Sequence, residues 1–199
     1  MVKELSPNQI SGIDERPRLR GIFLFVTDPE ENALFFENLE TKVGTQKVAG
    51  QLSTPAETRD PGERLWPFIR RTIREELGQI KGEYMPHFRG AAILGTPEFL
   101  VSLYCFEIPT IQSAVVIDPE DKHEMGSSLW IPINEIDNRE IIVGGFRVPQ
   151  FRSPIPQFAR NVQLARESSR RPTVQYVESD LPSALFPQKQ KSGAEVSSS

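Results

Sequence analysis

Two adjacent glutamates, Glu75 and Glu76, are the residues whose type and spacing most clearly suggest chemistry. They fall in the last turn of a predicted helix, where the negative end of the helix dipole disfavours each carboxylate by about 0.3–1 kcal/mol. The two neighbouring carboxylates also repel each other. A helix shaped by stability alone would carry lysine or arginine at this end, so the pair suggests a functional role.

A purely structural explanation of the same pair exists. Arg71 lies four residues before Glu75 and can offset its charge, while Glu76 can simply stay in water. Ion pairs of this spacing contribute only about 0.2–0.5 kcal/mol to a helix. On these residues alone, the functional and the structural explanation both stay open.

The helix that must position the two glutamates is predicted from about Glu63 to Gly78. Gly78 stands where a helix C-cap belongs, and Pro67 is tolerated only in the first turn. One face of the helix is apolar, with residues four positions apart: Leu65, Ile69, Ile73 and Leu77.

Apolar, β-prone runs on both sides of this helix predict strands, and one late segment predicts a second helix. The segment Ser53–Gly62 has two prolines and no periodicity, so it is predicted as a loop. The turn at Asp28–Asn32 separates the first two strands. The predicted strands are Leu19–Thr27, Ala33–Glu37, Gln46–Leu52, Phe88–Leu94, Phe99–Ile108 and Leu129–Ile131, followed by a helical turn at Pro132–Ile136 and a helix at Ile155–Arg166.

This order of elements predicts an α+β sandwich, because most connections between strands are too short for the crossover helices of a parallel sheet. The first 18 residues are polar and are predicted to form an N-terminal arm. Residues 19–167 form the predicted domain. Residues 168–199 are rich in Ser, Pro, Gln and Lys and are predicted to be a disordered tail.

Composition excludes several classes of protein. The net charge of -4 argues against a general surface for long nucleic acids, which is usually basic. Cys105 is the single cysteine, so a disulfide framework and a thiolate cluster are excluded. No apolar run has the roughly 18 residues that a membrane span needs, and the N-terminus lacks a signal-peptide pattern. We therefore expect a cytoplasmic protein without a membrane partner.

The segment around the glutamate pair resembles the signature of the Nudix hydrolase family. That signature is a glycine, five residues, Glu, seven residues, then Arg-Glu-apolar-x-Glu-Glu-x-Gly-apolar. With Glu75 and Glu76 as its closing pair, the arginine falls on Arg71, and seven residues separate it from Glu63. Gly78 matches the last glycine. A second block, residues 129–136, resembles the Trp-apolar-Pro-apolar-x-Glu-apolar segment of the family.

The sequence departs from this signature in three places. Glu57 stands where the early glycine is expected, so Gly50 is the better equivalent and Ser53–Gly62 contains an insertion of seven residues. Gln79 replaces the final apolar residue. Thr72 replaces the glutamate that should follow the arginine, which removes one negative charge from the expected metal site.

The resemblance implies an α/β/α sandwich with a mixed β-sheet and assigns a role to each matching residue. Glu75, Glu76 and the carbonyl of Gly50 are the expected ligands of Mg²⁺, with Mn²⁺ as a substitute. Arg71 is expected to orient a glutamate, and Glu63 is expected to support the ligands from behind.

Two further positions follow from the resemblance. Thr72 should lie beside Glu76, because residues four apart share a helix face; restoring the carboxylate by Thr72→Glu should then tighten metal binding. Glu124 is the preferred carboxylate of the late acidic loop, and Glu120 or Asp121 could serve equally well. The expected catalytic residues are therefore Glu76, Glu124 and Arg71.

The function implied by the resemblance is Mg²⁺-dependent hydrolysis of a diphosphate bond in a nucleoside diphosphate linked to another group. Its partner would be a small nucleotide-type substrate, and relatives often pair as homodimers. The alternative is a Nudix-like module that has lost catalysis and binds a nucleotide or a protein, which the replacement at Thr72 favours. A third hypothesis is an unrelated acidic α+β interaction domain.

Overall fold

The computed structural model describes residues 2–4, 18–42, 47–95, 100–120, 124–167 and 174–178. The helices are α1 (Leu65–Glu76) and α2 (Ile155–Glu167). The strands are β1 (Val2–Glu4), β2 (Arg18–Thr27), β3 (Asn32–Asn38), β4 (Leu52–Ser53), β5 (Ala56–Thr58), β6 (Gly78–Ile80), β7 (His87–Gly95), β8 (Leu100–Pro109), β9 (Val115–Ile117), β10 (Met125–Pro132), β11 (Glu140–Val143), β12 (Phe146–Pro149) and β13 (Val174–Glu178). Short 3₁₀ turns lie at Gln112–Ala114 and Ile133–Glu135.

The main sheet is mixed, as predicted, and has the order β1-β13-β7-β8-β2-β3-β10, with β4 on β3 and β5 on β2. The β2–β8 and β7–β13 pairs are parallel, and the other pairs are antiparallel. Because β-strand side chains alternate between faces, the two faces of β2 serve two cores. Ile22 and Leu24 pack with α1, whereas Phe23 and Phe25 pack with α2. The result is an α/β/α sandwich.

The sheet is split where β2 and β3 diverge. These strands pair only at Thr27 and Ala33, next to the turn that joins them. Farther from the turn, β5 pairs with the start of β2, and β4 pairs with the end of β3. The gap between the two diverging strands is therefore lined by the segment that connects β4 to β5.

The predicted loop at Ser53–Gly62 was wrong in part, because it contains β5. This strand approaches β2 at Gly21, where a Cβ atom would lie only 2.9 Å from the carbonyl oxygen of Glu57. Three residues are too few to show an alternating pattern. The strand forms because it pairs with β2, about 35 residues earlier in the chain. The predicted strand at Gln46–Leu52 was also too long, since Gly50 turns with φ +84° and regular pairing begins at Leu52.

Other differences from the predictions lie at the sheet edges. Val174–Glu178, predicted as part of a disordered tail, forms β13 and pairs with both β7 and β1. The rest of that tail lies outside the described residues. Sequence patterns also missed the β6–β9 pair and the β11–β12 hairpin, all of whose strands have only three or four residues. Leu65, predicted on the buried face of α1, is 45% exposed, and Phe68 is buried instead.

Glu107 of β8 joins the sheet to α2 through a buried ionic network. Its side chain is 1% exposed and accepts hydrogen bonds from Arg89 Nε (2.6 Å), Arg166 Nε (3.0 Å) and Thr27 Oγ1 (3.0 Å). Burial by itself would raise the pKa of Glu107, but the hydrogen bonds and charges of the two arginines outweigh it and leave the pKa lowered. The end of α2 is thereby fixed to the sheet.

Replacing this carboxylate should destabilise the protein strongly. Glu107→Gln removes the buried counterion that Arg89 and Arg166 share, although Arg166 keeps the exposed Glu31 at 3.4 Å. Breaking a buried ion pair costs roughly 3 kcal/mol. Urea unfolding at pH 7 measures the loss. Glu140→Gln is the matched control, because Glu140 and Arg147 form an exposed pair at 3.6 Å and should contribute almost nothing.

The same network predicts how stability depends on pH. Because folding lowers the pKa of Glu107, its contribution is complete above the ordinary carboxyl pKa and is lost as the pH falls through the folded value. Glu107→Gln should therefore flatten the acid limb of the stability profile. An unchanged acid limb would show that this carboxylate is not held by the arginines.

Candidate active site

A cavity of about 200 Å³ opens where β2 and β3 diverge. Its lining contains three carboxylates and three cationic side chains, which gives it equal numbers of opposite charges. One wall is apolar and includes Phe23 and Leu103. The charged residues are Glu57, Glu76 and Glu124 together with Lys42, Lys47 and Arg152.

Glu76 enters the cavity from the carbonyl end of α1. Burial raises the pKa of Glu76 to about 7, and the negative charges of Glu57 and Glu124 act in the same direction. Lys47 and Arg152 oppose this rise. The positive charges near Glu76 therefore do not offset its burial and the two neighbouring carboxylates. A bound cation would supply the missing positive charge.

Glu124 lies just before β10 and is held by two lysines. Lys47 Nζ lies 3.2 Å from Glu124 Oε2, and Lys42 Nζ contacts Glu124 Oε1. Burial favours a raised pKa for Glu124, yet the hydrogen bonds from Lys42 and Lys47 outweigh it and lower the pKa. Glu124, the loop carboxylate that the sequence analysis preferred, therefore lines the cavity as an ionised group.

Arg152 completes the charged lining from the segment before α2. Its guanidinium carbon lies 5.4 Å from the ring centroid of Phe23, a cation–π contact. Burial lowers the pKa of Arg152 to about 10, against the attraction of Glu76 and Glu57. Its backbone N–H donates to Leu52 O at 2.9 Å, which fixes the segment to β4.

Glu75 does not line the cavity, because two arginines hold it on the neighbouring side of α1. Arg71 Nη1 donates to its Oε2 at 2.9 Å, and Arg74 Nη2 donates to its Oε1 at 3.0 Å. Arg71 also binds both carboxylate oxygens of Glu63 at 3.0 Å and donates to Thr58 O at 2.9 Å. Arg71 therefore connects the start and end of α1 to β5.

Thr72 is fully buried, and its hydroxyl donates to the carbonyl of Phe68 at 3.0 Å. Neither Thr72 nor Gly50 is among the residues that line the cavity. Glu120 is exposed and bound to Arg74 Nε at 2.9 Å. Asp121 lies outside the described residues. Of the predicted site residues, Glu76 and Glu124 are thus the two that share the cavity.

A divalent cation fits the chemistry of this cavity but not its present side-chain positions. Carboxylate oxygens are the donors that Mg²⁺ prefers, and Glu57, Glu76 and Glu124 all face the same space. Within the described ranges, however, no three acidic, histidine or cysteine side chains lie close enough together to hold a metal ion. Binding a cation here would require Glu124 to exchange its lysines for it.

Sequence reasoning missed Glu57, Lys42 and Lys47 as cavity residues. Glu57 stood at the position expected for glycine, but its segment was predicted as a loop. The sequence therefore did not indicate where the Glu57 side chain points. The two lysines lie outside the motif segments. No short spacing in the sequence links these basic residues to the cavity glutamates, so no local signal could have found them.

Comparison with solved structures identifies the fold. The chain matches a MutT protein from Methanosarcina mazei Go1 with a TM-score of 0.57 and 16% identity, over 78% of this chain and 100% of that one. It matches an Ap4A hydrolase from C. elegans with a TM-score of 0.55 and 12% identity (75% and 98% covered). A Nudix hydrolase from Nitrosomonas europaea follows with a TM-score of 0.53 and 18% identity (78% and 93% covered).

No family model and no curated protein matches the sequence. At these identities the likeness shows the fold alone, and that fold is the Nudix fold. Within the described residues, neither helix is long and apolar enough to cross a membrane.

The position of Thr72 changes the expected effect of restoring a glutamate there. A carboxylate at a fully buried site would be an uncompensated charge, so Thr72→Glu should cost more than about 3 kcal/mol of folding free energy. Thr72→Val keeps the volume and loses only a hydrogen bond to a carbonyl of the same helix, so it should cost less than about 1 kcal/mol. Urea unfolding of both variants checks this, and a Thr72→Glu variant as stable as the wild type would contradict the burial.

Proposed function

From the Nudix fold and the charged cavity, we propose that this protein hydrolyses the diphosphate bond of a nucleoside diphosphate linked to another group. The observation that supports this most directly is the grouping of three carboxylates and three cations in one cavity at the carbonyl end of α1. A diphosphate with a divalent cation contains both kinds of charge. Carboxylates suit the metal, and lysine and arginine suit the phosphate oxygens.

Each charged residue has a role in this proposal. Glu57, Glu76 and Glu124 would hold Mg²⁺ or Mn²⁺. A bound metal ion of this kind neutralises phosphate oxygens and lowers the pKa of the attacking water. Lys42 and Lys47 would bind phosphate oxygens when they leave Glu124.

The residues around α1 would position this site rather than touch the substrate. Arg71 binds Glu63, Glu75 and the carbonyl of Thr58 at once. It therefore sets the position of β5, which carries Glu57, relative to the helix that carries Glu76. Glu75 and Gly50 remain proposed metal ligands from the sequence, although neither lines the cavity.

A second candidate function is binding without hydrolysis. Two observations favour it: Thr72 is buried where the signature has a glutamate, and Glu124 is already neutralised by two lysines. The charges of the cavity would then serve recognition of a phosphorylated ligand. A homodimer and a cytoplasmic location also remain proposals.

Turnover of a panel of nucleoside diphosphate derivatives with Mg²⁺, with Mn²⁺ and with EDTA tests the proposal. We expect metal-dependent release of two phosphorylated products. Glu76→Gln should lower the rate by at least about 10²-fold, the loss expected when a group that acts on the attacking water is removed.

Glu30→Gln is the control, because Glu30 is exposed in the turn between β2 and β3, at the other end of β2 from the cavity. It should leave the rate unchanged. Ligand binding without turnover in either metal would favour the binding module and contradict the hydrolase.

A further inference from the structure

Buried side-chain atoms without a hydrogen-bond partner occur in the cavity wall. Among such atoms of the described residues are the amide nitrogen Nδ2 of Asn38 and the hydroxyl Oγ1 of Thr54. Asn38 is 2% exposed and Thr54 is 3% exposed, and both line the cavity. Buried polar groups in folded proteins are nearly always hydrogen-bonded, so each exception needs an explanation.

Both residues have backbone groups that are already hydrogen-bonded, and their side-chain atoms are the groups in question. Asn38 ends β3; its N–H donates to Gln51 O, and its carbonyl accepts from Gly50 N, both at 2.8 Å. Thr54 follows β4, and its carbonyl accepts a hydrogen bond from Ser53 Oγ at 3.1 Å. Pairing of β3 with β4 therefore fixes both positions.

The chemistry of these atoms indicates what they bind. An amide nitrogen can only donate, and a threonine hydroxyl donates readily. Lys42 and Lys47, which line the same cavity, are also donors. Together with the two lysines, once these exchange Glu124 for a ligand, Asn38 and Thr54 supply four donors to one cavity. Such a set is complementary to a group that carries several acceptor oxygens and a negative charge, as a diphosphate does.

We infer that Asn38 and Thr54 are ligand-binding residues that donate hydrogen bonds to the diphosphate oxygens of the bound molecule. This assignment rests on the diphosphate ligand of the proposed function, but not on its hydrolysis. The free protein then contains two unsatisfied groups that the ligand satisfies.

The assignment has a consequence that a structural role does not share. Removing a side chain that stabilises the fold lowers both stability and binding. Removing a buried donor that has no partner in the free protein leaves its stability unchanged or higher, while it weakens ligand binding. Thr54→Val and Asn38→Leu keep approximate shape and remove the donors.

The experiment compares these variants by calorimetric titration and thermal melting, with methylenediphosphonate as a hydrolysis-resistant probe, in the presence and absence of Mg²⁺. We expect Thr54→Val and Asn38→Leu each to weaken the probe's Kd by about tenfold or more, as for a lost hydrogen bond to a charged group. The melting temperature of the free variants should equal or exceed that of the wild type.

Three matched variants serve as controls. Thr54→Ser keeps the hydroxyl and should keep wild-type affinity. Thr110→Val and Asn134→Ala make similar changes outside the cavity lining, at positions that are partly or fully exposed. Both should leave the Kd unchanged.

Four results would overturn the assignment. One is a variant that loses stability and keeps its affinity for the probe. Another is a loss of affinity in Thr54→Ser equal to that in Thr54→Val. A third is a loss confined to adenosine, used as a second probe, with methylenediphosphonate binding intact; the donors would then bind a different group of the ligand. The fourth is a wild type that binds no methylenediphosphonate in either condition, which would also remove the support for the proposed function.

Failure of the proposed function alone would look different. The wild type would bind methylenediphosphonate, both variants would lose affinity, and no diphosphate derivative would be hydrolysed. The assignment of Asn38 and Thr54 would then stand as part of a binding module.

Discussion

The separation of β2 from β3 is the constraint on which the site depends. Two adjacent strands of a sheet would normally stay paired along their length, but these pair at a single position beside their turn. The gap is lined by short strands that follow in sequence, β4 on one side and β5 on the other. A cavity can therefore open within the layer of the sheet and be lined by residues from both cores.

The close approach of β5 to β2 is encoded by a residue far from it in sequence. At Gly21 the absence of a side chain lets the carbonyl of Glu57 lie where any Cβ atom would collide with it. Arg71 holds the other side of β5 through the carbonyl of Thr58. One glycine and one arginine thus place Glu57 opposite Glu76, and the charges of the cavity follow from that placement.

The sequence allowed the central helix, the long strands and the second helix to be predicted, because each has ten or so residues of regular apolar spacing. The cavity could not be predicted in the same way. Most of its charged members come from a three-residue strand and loop positions, where the sequence has no regular pattern. Glu76 was found because it lies on a periodic helix, whereas Glu57 lies in a segment without a period.

Motif matching gave the correct fold but an incomplete picture of the site. It grouped Glu75 with Glu76 as neighbours in sequence, yet a helix turns adjacent residues about 100° apart. In the structure Glu75 faces Arg71 and Arg74, and Glu76 faces the cavity. Two adjacent positions of the motif therefore contact different groups, arginines in one case and the cavity in the other.

The most direct test of the proposed diphosphate site between β2 and β3 is a titration of ¹⁵N-labelled protein with methylenediphosphonate, followed by NMR. We expect a saturable shift of the side-chain amide signals of Asn38, with no shift of those of Asn134. Shifts that spare Asn38 and map to another surface, or no shift at all, would contradict the central claim.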